Sequence, residues 1–257
     1  MWSFSSRAGD NEVKSFYLVC LYIIHYNRYD KKSPLQNTQG GAILTIQHEI
    51  YIDHESFTQK PTTADVKLIN NRITKQNFIG TAQQIAHYVG NRGCTFLPSI
   101  MDGGRAKSNF VKQSVFAIDF DNDAYQLDEQ GQKVKDSNGR FIKVRATGAD
   151  YISIETVKNH AFIKRNASFI YKTFSHTDEW ERFRVVFMLN RPLETQQEVY
   201  QLGKHLSSVF PMIDASTLEP ARLFYGGIEA IEVDFSNAVN VDDILIDEPE
   251  TEPQAKP

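Results

Sequence analysis

The sequence predicts an α+β fold of mixed α/β character, a sheet flanked by helices. Three observations carry this: strand-like and helix-like runs are interspersed, the connections between them are short, and no segment repeats on a domain scale. Residues 41–55, GAILTIQHEIYIDHE, begin apolar and then alternate, as a half-buried strand does. In TAQQIAHYVGNRG, Thr81 and Gln84 form a capping box, Ile85, Ala86 and Val89 share one helical face, and Gly90 or Gly93 supplies the stop. A loop with Gly103, Gly104, Arg105 and Lys107 leads to the strand SVFAI, residues 114–118.

DEQGQKVKDSNGRFIKV has turn glycines at Gly131 and Gly139 between short polar runs, and reads as an exposed, peripheral hairpin. SIETVKNHAFIKRN places Ile154, Val157, Ala161 and Phe162 at helical spacing; SFIYKTF then alternates as a strand. FRVVFML follows through the loop SHTDEWER and is expected to be its antiparallel neighbour. TQQEVYQLGKHLSSVF is the clearest helix, with a Thr195–Glu198 capping box and an apolar stripe of Val199, Leu202, Leu206 and Val209. His205 lies beside that stripe. It reads as a flank residue rather than a ligand, as do His25, His48, His54, His87 and His160. ARLFYGG reads as an arginine-bearing strand.

A chain of 257 residues, 41% apolar and 23% charged, buries one substantial core or two small ones. Net charge is −4, so nucleic-acid binding has to rest on local segregation of charge. Such segregation exists: residues 131–191 carry twelve Lys or Arg against six Asp or Glu, whereas residues 229–257 carry nine acids against Lys256 alone. Cys20 and Cys94 match no zinc or CxxC spacing, which fits free thiols in a cytoplasmic protein. FYLVCLYII, residues 16–24, is too short to span a bilayer and lacks a cleavage site, so no membrane association is expected. The expected organisation is an N-terminal segment 1–40 of unassigned role, a folded domain 41–246, and an acidic, proline-rich, unpacked tail 247–257 that serves as a linker or contacts a partner.

The chemistry concentrates where SVFAIDFDND runs from four apolar residues into acids. Side chains alternate along a strand, so Asp119 and Asp121 share one face while Phe120 points into packing. Paired carboxylates repel unless a cation lies between them, and oxygen ligands suit Mg²⁺ or Mn²⁺. Further along, Ser175 and His176 end a strand and Arg184 lies on the next, a combination that can hold phosphate oxygens. Asp214 follows the long helix, with Arg222 eight residues later. Three carboxylates, a histidine and two arginines are the parts that metal-dependent nucleotidyl transfer requires.

Taken in order, FAIDFDND, TFSHTDEWERFRVVF and FPMIDASTLEPARLFYGG resemble the three signature motifs of the archaeo-eukaryotic primase superfamily, in particular the primase-polymerase domains of phages, plasmids and other mobile elements. The resemblance spans roughly residues 78–228. It implies an RRM-like antiparallel sheet with flanking helices joined to an N-terminal αβ unit. It implies that Asp119, Asp121 and Asp214 ligate the metal and are catalytic, that His176 contacts the triphosphate of the incoming nucleotide, and that Arg184 is the arginine that follows this histidine in the mobile-element branch. Ser175 and Arg222 complete the expected nucleotide-binding set. The sequence departs from the pattern in placing Phe174, not a serine, two residues before His176; it also lacks a cysteine cluster for a zinc stem and a following helicase. Residues 41–246 are then expected to be the catalytic domain, and the expected partners are single-stranded DNA template, nucleoside triphosphates and, for the acidic tail, a replicative helicase, with Lys164, Arg165, Lys172 and Arg182 contacting template phosphates.

Two rivals stand beside this reading. Phosphohydrolases of the haloacid-dehalogenase type also end a strand in DxD, but they expect a Thr soon after, and here Asn122-Asp123-Ala124 follows. A non-catalytic single-strand-binding replication-initiation module would instead use Phe162, Phe169, Tyr171, Phe174 and Trp180 to stack bases, although their alternation favours packing.

Overall fold

A computed structural model describes residues 46–214 and 218–245. The expectations for residues 1–40, for FYLVCLYII with Cys20, and for the tail 247–257 lie outside the described residues. Strand β1 is His48–Ile52, followed by helix α1, Thr63–Arg72, strand β2, Asn77–Gly80, and helix α2, Ala82–Ala86. Strands β3, Phe96–Leu97, β4, Ser99–Met101, and β5, Phe110–Phe120, come next, and then the short pair β6, Asp123–Tyr125, and β7, Lys143–Arg145. Helices α3, Ile154–Asn159, and α4, Ala161–Asn166, precede strands β8, Phe169–Thr173, and β9, Phe183–Leu193. The chain closes with helix α5, Gln196–Val209, strand β10, Gly227–Glu232, and helix α6, Asp242–Leu245.

The architecture is the expected α+β. A central five-stranded sheet runs β10-β8-β9-β5-β4, a three-stranded sheet runs β2-β1-β3, and every ladder is antiparallel. Alternation along β5 and β9 gives the central sheet two different faces. Phe116, Ile118, Phe120, Phe183, Val185 and Phe187 pack under the helices that bring Val157, Ile163, Val199, Leu202 and Leu206. Full burial of each such side chain stabilises the fold by about 1.5–3 kcal/mol. On the opposite face Val115, Ala117, Tyr171, Val186 and Met188 meet the N-terminal αβ unit through Ile50, Ile52, Ile85 and Val89.

The helix boundaries follow local chemistry. Thr81 and Thr195 complete the two expected capping boxes with Gln84 and Glu198. Helix α2 is shorter than its periodicity predicts, because the chain widens into a π turn over His87–Asn91. The single helix expected over SIETVKNHAFIKRN is broken in two at His160. That residue turns extended (ψ 135°), and its Nδ1 accepts the Phe162 N–H to cap α4. His160 is thus a cap rather than a helix flank.

ARLFYGG is not a strand. It makes one bridge, Phe224 to Phe96, and β10 begins only at Gly227. Its carbonyls are satisfied by side chains instead: Arg105 donates to Ala221 O and Arg184 to Tyr225 O. Gly226 packs so tightly on the neighbouring backbone that an added Cβ would lie 2.3 Å from the Gly93 carbonyl carbon.

Candidate active site

The site lies where β5 and β9 leave the second face of the central sheet. Cross-strand register sets Asp119 opposite Arg184; the Asp119 side chain is buried and that of Arg184 is 12% exposed. Arg184 Nε and Nη2 donate to Asp119 Oδ2 at 2.9 and 2.7 Å, while Nη1 donates to Tyr171 Oη at 3.1 Å and Tyr225 O at 2.8 Å. The other carboxylate oxygen, Asp119 Oδ1, is buried and finds no hydrogen-bond partner among the described residues.

Burial pushes the Asp119 carboxyl above the usual carboxylate range; Arg184 opposes this, while the nearby charges of Asp121 and Asp214 reinforce it. Burial works against the Arg184 charge, but Asp119 and Tyr171 more than offset it and hold its pKa up. Burial lifts the Tyr171 phenol to about 12, against the opposing pull of Arg184.

Three devices position the acids. Phe120 is fully buried against Phe183, stacked at 4.9 Å between centroids, which fixes the phase of the strand end so that Asp119 faces the opposite side. The carbonyl of Asp121 accepts from Trp180 Nε1 at 3.0 Å and Arg182 Nε at 3.2 Å, and the Arg182 guanidinium lies 3.9 Å over the Trp180 ring. Asn122 then turns the chain in the left-handed region (φ 51°), a conformation that Asn adopts more readily than most residues. Its buried amide donates to Ile152 O and Glu181 O and accepts from Ile152 N–H, which ties the turn to two neighbouring segments. Asp214, just past α5, donates its backbone N–H to Asp119 O at 3.0 Å, so the third motif is hydrogen-bonded to the first.

These residues open on a cleft of about 540 Å³. Asp119, Asp121, Asp123 and Asp214 line it together with six cations: Lys60, Arg105, Lys143, Arg182, Arg184 and Arg222. Ser175 also lines it. Lys143 pairs with Asp123 at 2.7 Å, and Arg105 is anchored on Asn70 and Ala221 O. Arg222 Nε is buried and finds no hydrogen-bond partner among the described residues. Among the described residues, no group of three His, Cys, Asp or Glu is arranged to hold a metal ion.

The remaining sequence-predicted residues scatter. His176 lies beside the cleft rather than in its wall; its Nδ1 faces the Arg182 backbone, 3.2 Å from the N–H and 3.3 Å from the carbonyl oxygen. Of the four expected template contacts, Arg182 alone lines the cleft. Lys172 is paired with Glu229 at 2.7 Å. Lys164 and Arg165 ride on α4, whose Ile163 packs on the opposite face of the sheet from Asp119.

Sequence reasoning did not single out Lys60, Lys143 or Asn122 for the site. Lys60 sits in a loop with no pattern around it, whereas Asn122, directly after a DxD and before a new turn, carried a legible signal. Phe169 and Tyr171, weighed as base-stacking residues, are fully buried core side chains. No helix among the described residues is long and apolar enough to cross a membrane.

A search of curated proteins gave no match. Among solved structures, the archaeo-eukaryotic primase (AEP) domain of the cyanophage S-2L primase-polymerase aligns with 88% of this chain and 96% of its own, at 9% identity and a TM-score of 0.40. Over residues 129–250, which contain His176, Arg184, Asp214 and Arg222 but begin after Asp119 and Asp121, the chain matches the VapE N-terminal domain family.

Proposed function

We propose that this chain is a template-dependent nucleotidyltransferase, a primase or polymerase of a mobile-element replication system acting on single-stranded DNA. The observation that carries the reading is the cleft itself, where the acids of the first and third motifs, bound to each other through the backbone, face a wall of cations. Nucleotidyl transfer requires that juxtaposition: an anionic end for a divalent ion and a cationic end for a triphosphate.

The donor set fits Mg²⁺ or Mn²⁺ in chemistry. It is all oxygen, and Asp119 Oδ1 is a buried acceptor with no partner among the described residues. Asp119, Asp121 and Asp214 would hold the ion, with phosphate oxygens of the nucleotide completing the shell, since Mg²⁺ is commonly bound by one or two carboxylates plus substrate. Bound there, the ion supplies Lewis-acid activation of a primer 3′-hydroxyl and offsets triphosphate charge.

The chain's own residues then bind and orient the substrate. Arg222, whose buried Nε has no partner among the described residues, and Arg182 provide charge-assisted donors to phosphate oxygens. Ser175 adds a hydroxyl, and His176 adds an imidazole at the edge of the cleft. Arg184 acts mainly through Asp119, fixing Oδ2 so that Oδ1 is the oxygen left to bind.

The test is primer extension on a single-stranded template with labelled nucleotides in Mn²⁺ and in Mg²⁺. The wild-type chain should extend, and Asp121→Asn, nearly isosteric but lacking one charge, should lower transfer by about 10³-fold or more while remaining folded. Full extension by a folded Asp121→Asn protein would overturn the mechanism.

A second reading, a non-catalytic single-strand-binding module, is favoured by the closed Asp119–Arg184 pair and by the lack of a three-acid cluster among the described residues. Binding of the template by the wild-type chain without any extension decides for it.

A further inference from the structure

The hairpin that follows the acids is exposed, but its composition is not that of a solvated loop. Four of its large apolar side chains stand open to solvent: Tyr125 at 42%, Leu127 at 55%, Phe141 at 47% and Val144 at 37% exposure. Such a concentration on one small element marks a contact surface.

Its backbone is built to hold these residues rigidly. Asp128 Oδ1 accepts the N–H groups of Gln130 and Gln132, and Asp136 Oδ1 accepts those of Asn138 and Arg140, so the same Asp-capped turn occurs twice. Each turn ends in a glycine with positive φ, Gly131 at 76° and Gly139 at 77°. Between the turns three runs close a ring of hydrogen bonds: Gln126 N–H to Ile142 O, Ile142 N–H to Val134 O, and Val134 N–H to Gln126 O, each at 2.9 Å.

On this knob, rings and ammonium groups alternate. Tyr125 and Phe141 meet edge-on at 5.7 Å; Lys133 lies 3.7 Å from the Tyr125 centroid, and Lys135 lies 5.0 Å from that of Phe141. The carboxylates of Asp128 and Asp136 are taken up by their own turns, and the charged groups lying over the rings are Lys133 and Lys135. At its base Asp123 and Lys143 line the cleft that holds Asp119 and Asp121.

We infer that residues 123–145 form a single-strand binding arm, in which Tyr125 and Phe141 stack unpaired bases and Lys133 and Lys135 hold the adjoining phosphates, delivering the strand to the cleft. This rests on the proposed function for the nature of the strand, DNA. Flat rings with cations 4–6 Å away complement a nucleotide, which offers a π face and a phosphate within one repeat. A duplex keeps its bases stacked and offers the rings nothing.

The experiment measures anisotropy of a labelled oligo(dT) with the full-length chain across a salt series, alongside primer extension. Tyr125→Ala with Phe141→Ala should weaken binding about tenfold or more. Lys133→Ala with Lys135→Ala should weaken it and reduce the slope of log affinity against log salt by about 1 to 2. If the alanine pair lowers the melting temperature, Tyr125→Leu with Phe141→Leu keeps the apolar bulk and should still lose affinity.

Unchanged affinity in these folded variants, or equal competition by a duplex, overturns the arm and leaves the transferase reading intact. Affinity lost in the variants, from a wild-type chain that binds but never extends, keeps the arm and removes the transferase. A wild-type chain that does not bind oligo(dT) at low salt removes the arm, whatever the extension assay gives.

Discussion

The two faces of the central sheet are made by the same two strands, yet they differ in kind. Under α3, α4 and α5, residues Phe116, Ile118 and Phe120 of β5 and Phe183, Val185 and Phe187 of β9 are apolar to the last position. One residue out of phase, Val115 and Ala117 give way to Asp119, and Val186 gives way to Arg184. The comparison teaches that the apolar face anchors the strands, so the other face can carry charge into the interior at their ends. A buried ion pair contributes little or nothing net to stability, because desolvation of both groups opposes their attraction.

The largest break in that comparison comes from the apolar face. Phe116→Ala should cost about 3–5 kcal/mol in urea unfolding, with transfer per folded molecule unchanged, because no member of its apolar cluster lines the cleft. Equal loss of transfer and stability would mean that the faces are not independent.

Arg184→Met attacks the polar face and leaves Asp119 buried without its partner, which should cost about 3 kcal/mol near neutral pH. Adding Asp119→Asn should recover a large part of that stability without restoring transfer. A double variant no more stable than Arg184→Met alone would show that the cost lies in lost packing, not in the stranded charge.

Tyr171 sharpens the contrast through pH. Its phenol has a folded-state pKa of about 12 against about 10 in the unfolded chain, so its contribution is complete below pH 10 and is lost as pH rises towards 12. The loss should approach about 2–3 kcal/mol at the upper end. In Tyr171→Phe the alkaline limb of a stability–pH curve should flatten; an unaltered limb would assign the titration to other groups.

The smallest effect on stability should come from His176→Ala, which removes one half-buried hydrogen bond from the Arg182 N–H, about 1 kcal/mol. Its signature should be a rise in the nucleotide KM of about tenfold with a smaller change in kcat. Loss of Mn²⁺ binding in the absence of nucleotide would reassign this histidine to the metal.

The sequence by itself determined much of this protein. Period-two alternation through SVFAIDFDND put Phe120 inside and Asp119 on the other face, because strand geometry admits no other phase once Phe116 and Ile118 are buried. Capping boxes at Thr81 and Thr195 set helix starts, because a hydroxyl and an acid or amide three residues apart satisfy backbone donors locally. Tertiary structure alone decided what local pattern does not encode. The partner of Asp119 is Arg184, 65 residues away, and only strand register makes them neighbours. ARLFYGG has the composition of a strand but makes only the Phe224–Phe96 bridge before β10 begins at Gly227, and the Ala221 and Tyr225 carbonyls accept from Arg105 and Arg184. The basic residues of the middle segment form no single patch, because α4 and the cleft lie on opposite faces of the sheet, and charge along a sequence carries no record of which face it will reach.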